Sequence, residues 1–386
     1  MSTFKGFLRE DGAVGVRNHI LVLSTVVCAN VVAERVARRV QGAVAFCHTN
    51  GCGQIGEDLS QTIRTLAGIG RNPNVFGTLI VSLGCEGVAA CDILNDLARN
   101  RKNIELVTIQ ECGGTSGAIR QGERILRGWQ KEWKNQKRVP CQLKDLTVGL
   151  ECGGSDTSSG IAANPVMGYV SDRVVSMGGK VILSETTEMI GAEHLLAART
   201  TNGVLAKKLL DFVKKTEDSA KAMKVDLRGT QPTPGNIKGG LTTIEEKSLG
   251  CLAKAGHSRI VEVVGYAEQP TKQGLIVMDT PGYDVESVTG MLAGGAQIFL
   301  FSTGRGTPVG CPIAPVIKVT GNPRTAERMR ENIDLDASGL TLGRQSIEEI
   351  GDGLFALLRK TASGRKTASE RLGHTEASIT RIGPSV

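Results

Sequence analysis

Thiol and imidazole groups lie close together in one short stretch near the start of the chain, AVAFCHTNGCG at residues 43–53. Cys47 and His48 end an apolar run, and Cys52 follows between two glycines. Free cysteine often packs as a small hydrophobic residue, two nearby thiols can form a redox pair, and thiolates are good ligands for iron. The stretch therefore leaves packing, disulfide chemistry and metal binding open.

The other cysteines favour the metal site. The chain has 10 cysteines but no Cys-x-x-Cys pair, which is the usual spacing of zinc ribbons and thioredoxin-like motifs. A reversible disulfide between Cys47 and Cys52 stays as an alternative, although nothing near the pair supports it. We expect the single thiols of Cys52, Cys85 and Cys152 to converge on iron, as Fe2+ or an iron–sulfur cluster. Three protein ligands leave an open position for a substrate.

Titratable and basic groups follow most of the apolar runs. The candidate acid–base residues are His48, Glu86, Asp156, Glu185, His194 and Lys247. The candidate substrate-binding residues are Arg17, Asn18, Asp279 and Arg305. Arg305 lies in the glycine-rich stretch STGRGTPVG (302–310), where its guanidinium can hold a carboxylate through two hydrogen bonds. Arg17 and Asn18 either face an anion or belong to a plain turn before the first strand.

The elements that must position these groups are short apolar strands alternating with amphipathic helices. The predicted strands are HILVLSTVV (19–27), AVAFC (43–47), TLIVSLG (78–84), IELVTI (104–109), LTVGLE (146–151), KVILSE (180–185), IVEVV (260–264), GLIVMD (274–279) and QIFLFST (297–303). Predicted helices include residues 31–40, 59–70, 92–101 and 118–133. Continuous apolar runs are typical of strands buried on both faces of a parallel sheet, so the pattern predicts an α/β fold.

The reactive residues should share one edge of these sheets, because parallel α/β sheets bind ligands beyond the carboxyl ends of their strands. Glycines flank most of them and let the backbone approach a ligand. The chain lacks a Walker lysine motif and a dinucleotide-type glycine fingerprint after the first strand. We therefore expect neither a nucleoside triphosphate nor a dinucleotide as ligand.

The polar stretch at 129–145 predicts a boundary between two α/β domains, residues 1–138 and 139–386, with a peripheral C-terminal tail from residue 361. The Pro- and Gly-rich stretch 228–240 is interpreted as a functional loop of the second domain. Thr243 is a possible N-cap, with Glu246 at the capping-box position.

Composition limits the class of protein. The net charge is +7, with no long basic run, which argues against nucleic-acid binding and suits a small anionic substrate. The chain contains no run of 18 apolar residues, which a membrane span would need, and its first residues lack the apolar core of a signal peptide. We expect a cytoplasmic protein with reduced thiols.

Eight stretches taken together resemble a known family. They are FLREDGAVGVRNHILVLSTVVCAN, HTNGCG, VSLGCEG, ECGGSDTSSGIAANPVMG, LSETTEMIGAEHLL, QPTPGNIKGGLTTIEEKSLG, VMDTPGYDVESVTGMLAGGA and FSTGRGTPVGCP. They resemble the large portion of the altronate/galactarate dehydratase family, which also includes the large subunit of sulfolactate sulfo-lyase. The resemblance covers about residues 4–373.

The resemblance implies a lyase that carries out β-elimination on a hydroxy-acid, losing water from sugar acids or sulfite from sulfolactate. It implies iron or another divalent metal such as Mn2+, cysteines at the positions of Cys52, Cys85 and Cys152, and no role for Cys112. It also implies a separate small subunit and an oligomer. A noncatalytic substrate-binding or scaffold subunit is the alternative.

Overall fold

The protein is described here by a computed structural model, which covers residues 3–99 and 101–386. Its strands are β1 (Thr3–Leu8), β2 (Val14–Gly15), β3 (His19–Ser24), β4 (Ala43–Phe46), β5 (Val75–Ser82), β6 (Ile104–Thr108), β7 (Val139–Gln142), β8 (Thr147–Cys152), β9 (Lys180–Leu183), β10 (Ile260–Val264), β11 (Gly274–Met278), β12 (Ile298–Ser302), β13 (Val316–Thr320) and β14 (Leu335–Asp336). All nine strands predicted from the sequence are present.

Helices follow most strands, which confirms the α/β prediction. They are α1 (Asn30–Ala37), α2 (Gly56–Arg71), α3 (Ala90–Ala98), α4 (Thr115–Asn135), α5 (Asn164–Ser176), α6 (Glu193–Ala198), α7 (Gly203–Ala222), α8 (Leu227–Thr230), α9 (Pro234–Lys238), α10 (Ile244–Leu252), α11 (Asp284–Ala293), α12 (Pro323–Arg328), α13 (Ser338–Thr341), α14 (Ile347–Ala362) and α15 (Ala368–Leu372). The predicted loop at 228–240 contains two of them, α8 and α9.

The first sheet has four parallel strands in the order β4-β3-β5-β6. Alternate residues of β3 face opposite sides, as in any strand. Ile20 and Val22 pack in a core with residues of α1 and α4, while Leu21 and Leu23 pack in another core with residues of α2. Both faces are therefore buried, which explains why these strands are apolar throughout.

The second sheet has seven parallel strands in the order β10-β11-β9-β8-β12-β13-β14. The chain starts this sheet at β8, builds outward through β9, and later returns to the other side of β8 with β12. The strand order reverses between β8 and β12, and such a switch point leaves a crevice at the carboxyl ends of the strands. Residues 151–156, which comprise the end of β8 and the start of the loop after it, lie at this point.

A small antiparallel sheet, β2-β1-β7, was not predicted. Its strand β1 pairs with β7, so that Phe4 lies opposite Cys141. These strands are short and half-exposed, and they carry little of the apolar pattern that marks the parallel strands. The N-terminal strand is thereby tied to residues that follow the first sheet.

The two large sheets share one hydrophobic core. Leu66 and Ile69 of α2 belong to the same cluster as Ile182 and Phe299 of the second sheet. Asn72 strengthens this contact because its side chain donates to the carbonyls of Leu292 and Ala296, both at 2.9 Å. The carboxyl edge of each sheet therefore has a fixed position within the fold.

The C-terminal segment was expected to be peripheral, but it runs back to the first sheet. Ile379 is buried in the shared core, and the main chain of Ile382 donates to Asp58 of α2. The N–H of Val386 donates to the carbonyl of Gly53. In the described part of the chain, no helix has both the length and the apolar character needed to cross a membrane.

Candidate functional site

Cys152, the last residue of β8, lies at the switch point and is the centre of a buried polar cluster. Its Sγ is 2.8 Å from the hydroxyl of Ser155 and within 4.8 Å of the thiol of Cys251. One ligand-type atom from each of Cys152, Cys251 and Glu188 lies within 4.8 Å of the others. We call these three residues the thiol–carboxylate cluster.

Three separate segments bring this cluster together. Cys152 ends a central strand, and Glu188 lies in the turn that follows β9. Cys251 comes from α10, whose start is fixed because the Thr243 side chain accepts a hydrogen bond from the N–H of Glu246. This cap is the one that the sequence predicted.

A fully buried lysine holds the acidic groups of the site. The Nζ atom of Lys254 lies 2.5 Å from Glu185 and 3.0 Å from Glu188. Lys247 makes a second ion pair with Glu188, at 3.3 Å. Because Glu188 is enclosed by protein, these two ammonium groups supply the compensation that water supplies to an exposed carboxylate.

Ionisation follows from these contacts. The neighbouring Cys251 thiol lowers the pKa of the Cys152 thiol to about 7, although burial opposes this. The same contact raises the pKa of Cys251, which favours a thiolate on Cys152 and a thiol on Cys251. Burial alone would raise the pKa of Glu188, but Lys254 and Lys247 outweigh it and lower that pKa to about 2.

A second acidic group lies beside the first. Glu151, Glu185 and Asp284 bring one carboxylate oxygen each to within 4.8 Å of one another. Burial raises the pKa of Glu151 to about 8, and burial together with Glu151 raises the pKa of Glu185. Adjacent buried carboxyl groups cannot all ionise cheaply, so protons are shared among them.

Glu185 is held in a strained backbone conformation, with φ 66° and ψ 70° in the left-handed region. Its main-chain N–H donates to the hydroxyl of Thr280, and its carboxylate accepts the N–H of Cys152. Left-handed backbone at a residue with a long side chain costs about 1–3 kcal/mol and persists where the surroundings enforce it. Here the strain aims the carboxylate at Lys254.

A cavity of about 270 Å³ leads from the surface to the thiol–carboxylate cluster. Its lining residues are Ser155, Asp156, Thr157, Ser159, Gly160, Ile161, Asn164, Leu241, Glu246, Lys247, Leu249, Gly250 and Cys251. Among the described residues that line it, Lys247 and Cys251 are the two that belong to the buried network. Lys247 stays protonated because Glu188 raises its pKa against the effect of burial.

The structure brings several sequence-predicted residues to this site. Cys152, Glu185 and Lys247 belong to the buried network, and Asp156 lines the cavity. Both carboxylate oxygens of Asp156 already accept hydrogen bonds, from Ser158 and Ser159 on one side and from Asn322 on the other. It therefore shapes the loop after β8.

Arg305 lies beside the same loop. Its Cβ is close to the position that a Cβ on Gly154 would occupy, and its guanidinium donates to the carbonyl of Gly235 at 2.6 Å. The residue is exposed, so its remaining N–H groups are available to an anion beside this loop.

His48 and Glu86 lie at the carboxyl edge of the first sheet, away from this cavity. Both ring nitrogens of His48 are occupied, one on the carbonyl of Ser24 and the other on the N–H of Asn50. Burial lowers its pKa to about 4. Glu86 accepts hydrogen bonds from Thr25 and Gly84, and these lower its pKa although burial opposes them. Both side chains organise their own loops.

Arg17 and Asn18 precede β3 and so lie at the amino end of that strand. The Arg17 guanidinium donates to Glu370 and to three main-chain carbonyls, which uses its N–H groups. The Asn18 side chain accepts from Arg9. These contacts tie the start of the first sheet to the C-terminal part of the chain, and the structure does not bring either residue to the cavity.

Asp279 and His194 are also outside the cavity. Asp279 accepts a hydrogen bond from Thr186 at 2.6 Å and so supports the turn that carries Glu188. His194 is exposed on α6.

The three thiols predicted as metal ligands lie in two different places. Cys152 is buried in the second sheet, whereas Cys52 and Cys85 are exposed on loops of the first. Within residues 3–99 and 101–386, these three thiols do not form a group with sulfurs inside 4.8 Å. Their joint role as ligands of one metal stays a prediction.

We also tested whether the thiol–carboxylate cluster suits a dication. Two thiols and a carboxylate are suitable donors for a soft metal. However, both oxygens of Glu188 already bind ammonium groups, at 3.0 and 3.3 Å. A metal ion there would be repelled by two neighbouring positive charges, so we find that this cluster does not fit a metal as it stands.

Sequence reasoning missed Cys251 and Lys254. Together with Lys247 they are spaced at i, i+4 and i+7 in EKSLGCLAK, residues 246–254, which places them on one face of a helix. That spacing was a usable signal. Glu151 and Lys318 gave none, because each lies inside an apolar strand.

The fold and this cavity define an α/β protein with a buried network of thiol, carboxyl and lysine side chains at a switch point of its sheet. Residues 6–134 match the second domain of D-galactarate dehydratase/altronate hydrolase, and residues 143–385 match the C-terminal domain of D-galactarate/altronate dehydratase. The chain belongs to this family of lyases. The predicted domain boundary at 138/139 falls between the two matched ranges.

Individual relatives carry different activities. The chain is 39% identical to (2R)-sulfolactate sulfo-lyase subunit beta of Chromohalobacter salexigens, over 98% of this chain and 97% of that protein. It is 36% identical to altronate dehydratase of Escherichia coli and 35% identical to galactarate dehydratase of the same species. Those two alignments cover 98% and 99% of this chain and 77% of each relative.

Proposed function

We propose that the chain is the large subunit of a lyase that carries out β-elimination on a small hydroxy-acid, with (2R)-sulfolactate as substrate. The observation that carries the proposal is the cavity at the switch point, which is lined by Lys247 and Cys251 of the buried network. The choice of substrate rests on the 39% identity to a sulfo-lyase subunit over nearly the full length of both chains.

In the proposed reaction, the substrate carboxylate binds the Lys247 ammonium. This charge pair stabilises the extra negative charge that develops on the carboxylate when the α-proton leaves. Arg305, which lies beside Gly154 in the loop that precedes the lining residue Ser155, is the proposed partner for the distal sulfonate. A planar guanidinium suits such an oxyanion because it donates two parallel hydrogen bonds.

The Cys152–Cys251 pair is the proposed acceptor of the α-proton. The Cys251 sulfur, which lines the cavity, takes the α-proton while its own proton passes to the Cys152 thiolate. The C–H electrons form the new double bond, and sulfite leaves from the β-carbon with the C–S electrons. The enol product then takes a proton at the β-carbon to become the keto acid. Lys254 keeps Cys152 and Glu188 charged within the protein, and it acts as a positioning residue.

The proposed cofactor is iron, as Fe2+ or an iron–sulfur cluster, with Mn2+ as the alternative. No step above runs through a metal, because the thiol–carboxylate cluster is already neutralised by lysines. When bound elsewhere in the active complex, iron would supply Lewis acidity towards substrate oxygens. A separate small subunit is proposed because one relative is a subunit beta.

The direct test is an oxygen-free assay of the chain with a co-expressed small subunit. Sulfite release from (2R)-sulfolactate is expected. Release of keto acid from altronate or galactarate without sulfite release would replace the substrate by a sugar acid, as in the dehydratase relatives. If none of the three substrates reacts, the catalytic proposal fails and the alternative of a noncatalytic scaffold subunit gains support.

Lys247→Met tests the carboxylate contact. We expect kcat/KM to fall by about 100- to 1000-fold, since one charged donor to the developing oxyanion is lost. The matched control is Lys272→Met, which removes an exposed lysine far along the chain and should leave kcat/KM unchanged. Equal activities of the two variants would contradict the assignment.

The pH profile tests the thiol pair. Because the pKa of Cys152 is lowered to about 7, the thiolate forms as pH rises through that value, and kcat/KM should rise with it. Cys152→Ser should lose this step together with most of the activity, since a hydroxyl stays protonated. A wild-type profile of kcat/KM that is flat from about pH 6 to about pH 8, which is about one unit on either side of this pKa, would argue against thiolate catalysis.

A further inference from the structure

The first sheet carries an unusual set of exposed thiols. Free cysteine is among the most buried residue types, yet four cysteines of this chain are exposed and all four belong to the first sheet and its helices. Three of them, Cys28, Cys52 and Cys85, follow the carboxyl ends of β3, β4 and β5. These strands are direct neighbours, so the three thiol-bearing loops share one edge.

Hydrogen bonds join the three loops to one another. The N–H of Val27 donates to the carbonyl of Asn50 at 3.2 Å, and the N–H of Gly87 donates to the carbonyl of Gly51 at 3.1 Å. The hydroxyl of Thr25 donates to Glu86 at 2.6 Å. Each loop is thereby bonded within two residues of its cysteine to a neighbouring loop.

Glycine makes this close packing possible. Gly51 has φ +105°, and a Cβ at that position would clash with the carbonyl of Thr25. The main chain of the Cys52 loop therefore lies directly on the loop that carries Cys28. His48 connects these two loops, because its ring forms hydrogen bonds with the main chain of Ser24 and of Asn50.

The other thiols of this sheet have different surroundings. Cys47 donates to the carbonyl of Asn30, and Cys112 donates to the side chain of Gln121 at 3.0 Å. Cys91 is exposed in the first turn of α3. Only Cys28, Cys52 and Cys85 combine exposure with a position at a strand end.

We propose that Cys28, Cys52 and Cys85 bind an iron–sulfur cluster at the carboxyl edge of the first sheet. Cys28 thus takes the third position that the sequence assigned to Cys152. Among the described residues, the three sulfurs do not all lie within 4.8 Å of one another, which is wide for ligands of a single ion. The sulfurs of a cluster bind different irons and need not meet at one ion, so a cluster and not a single ion is the form proposed.

Binding requires only that the three thiols lose their protons and coordinate iron. The site does not depend on which substrate the cavity takes, and it can be detected without any activity measurement.

The test is anaerobic reconstitution of the full chain with Fe2+ and sulfide. We expect stoichiometric iron and acid-labile sulfide, with broad visible absorption that oxygen bleaches. Cys28→Ser, Cys52→Ser and Cys85→Ser should each lose at least half of the bound iron and most of the absorption. Circular dichroism verifies that each variant is folded.

Two control variants make the test decisive. Cys91→Ser removes the fourth exposed thiol and should keep the cluster, and Cys152→Ser should also keep it. Loss of the cluster in Cys152→Ser with retention in Cys28→Ser would overturn the assignment and restore Cys152 as the third ligand. Iron bound without sulfide would show a mononuclear site, and no specific iron would show that the edge is not a metal site. Either result would overturn the proposal.

Discussion

Two completely buried lysines differ sharply in their partners. Lys254 makes ion pairs with Glu185 and Glu188, while Lys318 of β13 has no hydrogen-bond partner for its Nζ among the described residues. Nζ of Lys318 lies 3.1 Å from the ring centroid of Phe301, which offers only a cation–π contact. We therefore expect Lys254 to stabilise the folded protein and Lys318 to destabilise it.

Lys254→Met should destabilise the protein by about 3–5 kcal/mol, because it leaves Glu185 buried without a cation and Glu188 with Lys247 alone. The expected readout is a lower free energy of unfolding in urea, together with loss of lyase activity. A variant with wild-type stability would show that Glu185 and Glu188 are neutral in the folded protein without Lys254.

Lys318→Met is the matched control and should stabilise the protein by about 1–3 kcal/mol at pH 7. Burial lowers the pKa of Lys318 from 10.5 to about 7. As pH falls from 10.5 towards 7, the unfolded chain binds a proton that the folded chain does not, so wild-type stability falls over this range. Urea titrations at several pH values should show that this loss is absent from the variant.

At the scale of elements, the site depends on how closely α5 packs against the turn that carries Lys254. Gly168 of α5 faces the carbonyl of Ala253 and the main chain of Gly256, with no room for a Cβ. The hydroxyl of Ser171, one turn further along α5, donates to the carbonyl of Lys254 at 2.8 Å. The packing of α5 against this turn therefore fixes the position of Lys254 relative to the sheet.

Gly168→Ala should push this turn away, destabilising the protein by about 1–3 kcal/mol and lowering kcat through displacement of Lys254. The matched control is Gly128→Ala in α4, where a Cβ meets no atom within 4 Å. That change should be neutral or stabilise by up to about 1 kcal/mol, since alanine favours helix. Thermal unfolding and steady-state kinetics of both variants would check this, and similar effects in the two would contradict the packing argument.

The sequence predicted the parallel strands well because burial on both faces leaves a continuous apolar run that needs no tertiary information. The ends of these runs also showed which strands are followed by polar side chains. The sequence did not predict which of these side chains lie close together, because that depends on the order of the strands in the sheet. Cys52 and Cys152 both follow a strand end, yet they belong to different sheets. The strand β13 (VIKVT), which contains Lys318, was not among the predicted strands.

At the scale of the whole molecule, the two sheets are joined by a shared core and by the returning C-terminal segment. This segment crosses from the second sheet to α2, where Arg381 pairs with Asp58 at 2.8 Å and Gln61 donates to the carbonyl of Thr380. Its last residue reaches the glycine next to Cys52. The proposed thiol site and the cavity are thus linked through one continuous segment as well as through the core.

Ile379→Ala tests whether this segment holds the two halves together. The side chain is 2% exposed in the shared core, so its truncation should cost about 2–4 kcal/mol of unfolding free energy. Ile382→Ala is the matched control, because the same side chain three residues later is 50% exposed and should cost under about 0.5 kcal/mol. If the segment also supports the first-sheet edge, Ile379→Ala should quicken alkylation of Cys52 while leaving that of Cys91 unchanged. Equal unfolding free energies for the two variants would mean that the C-terminal segment is peripheral in solution, as the sequence alone suggested.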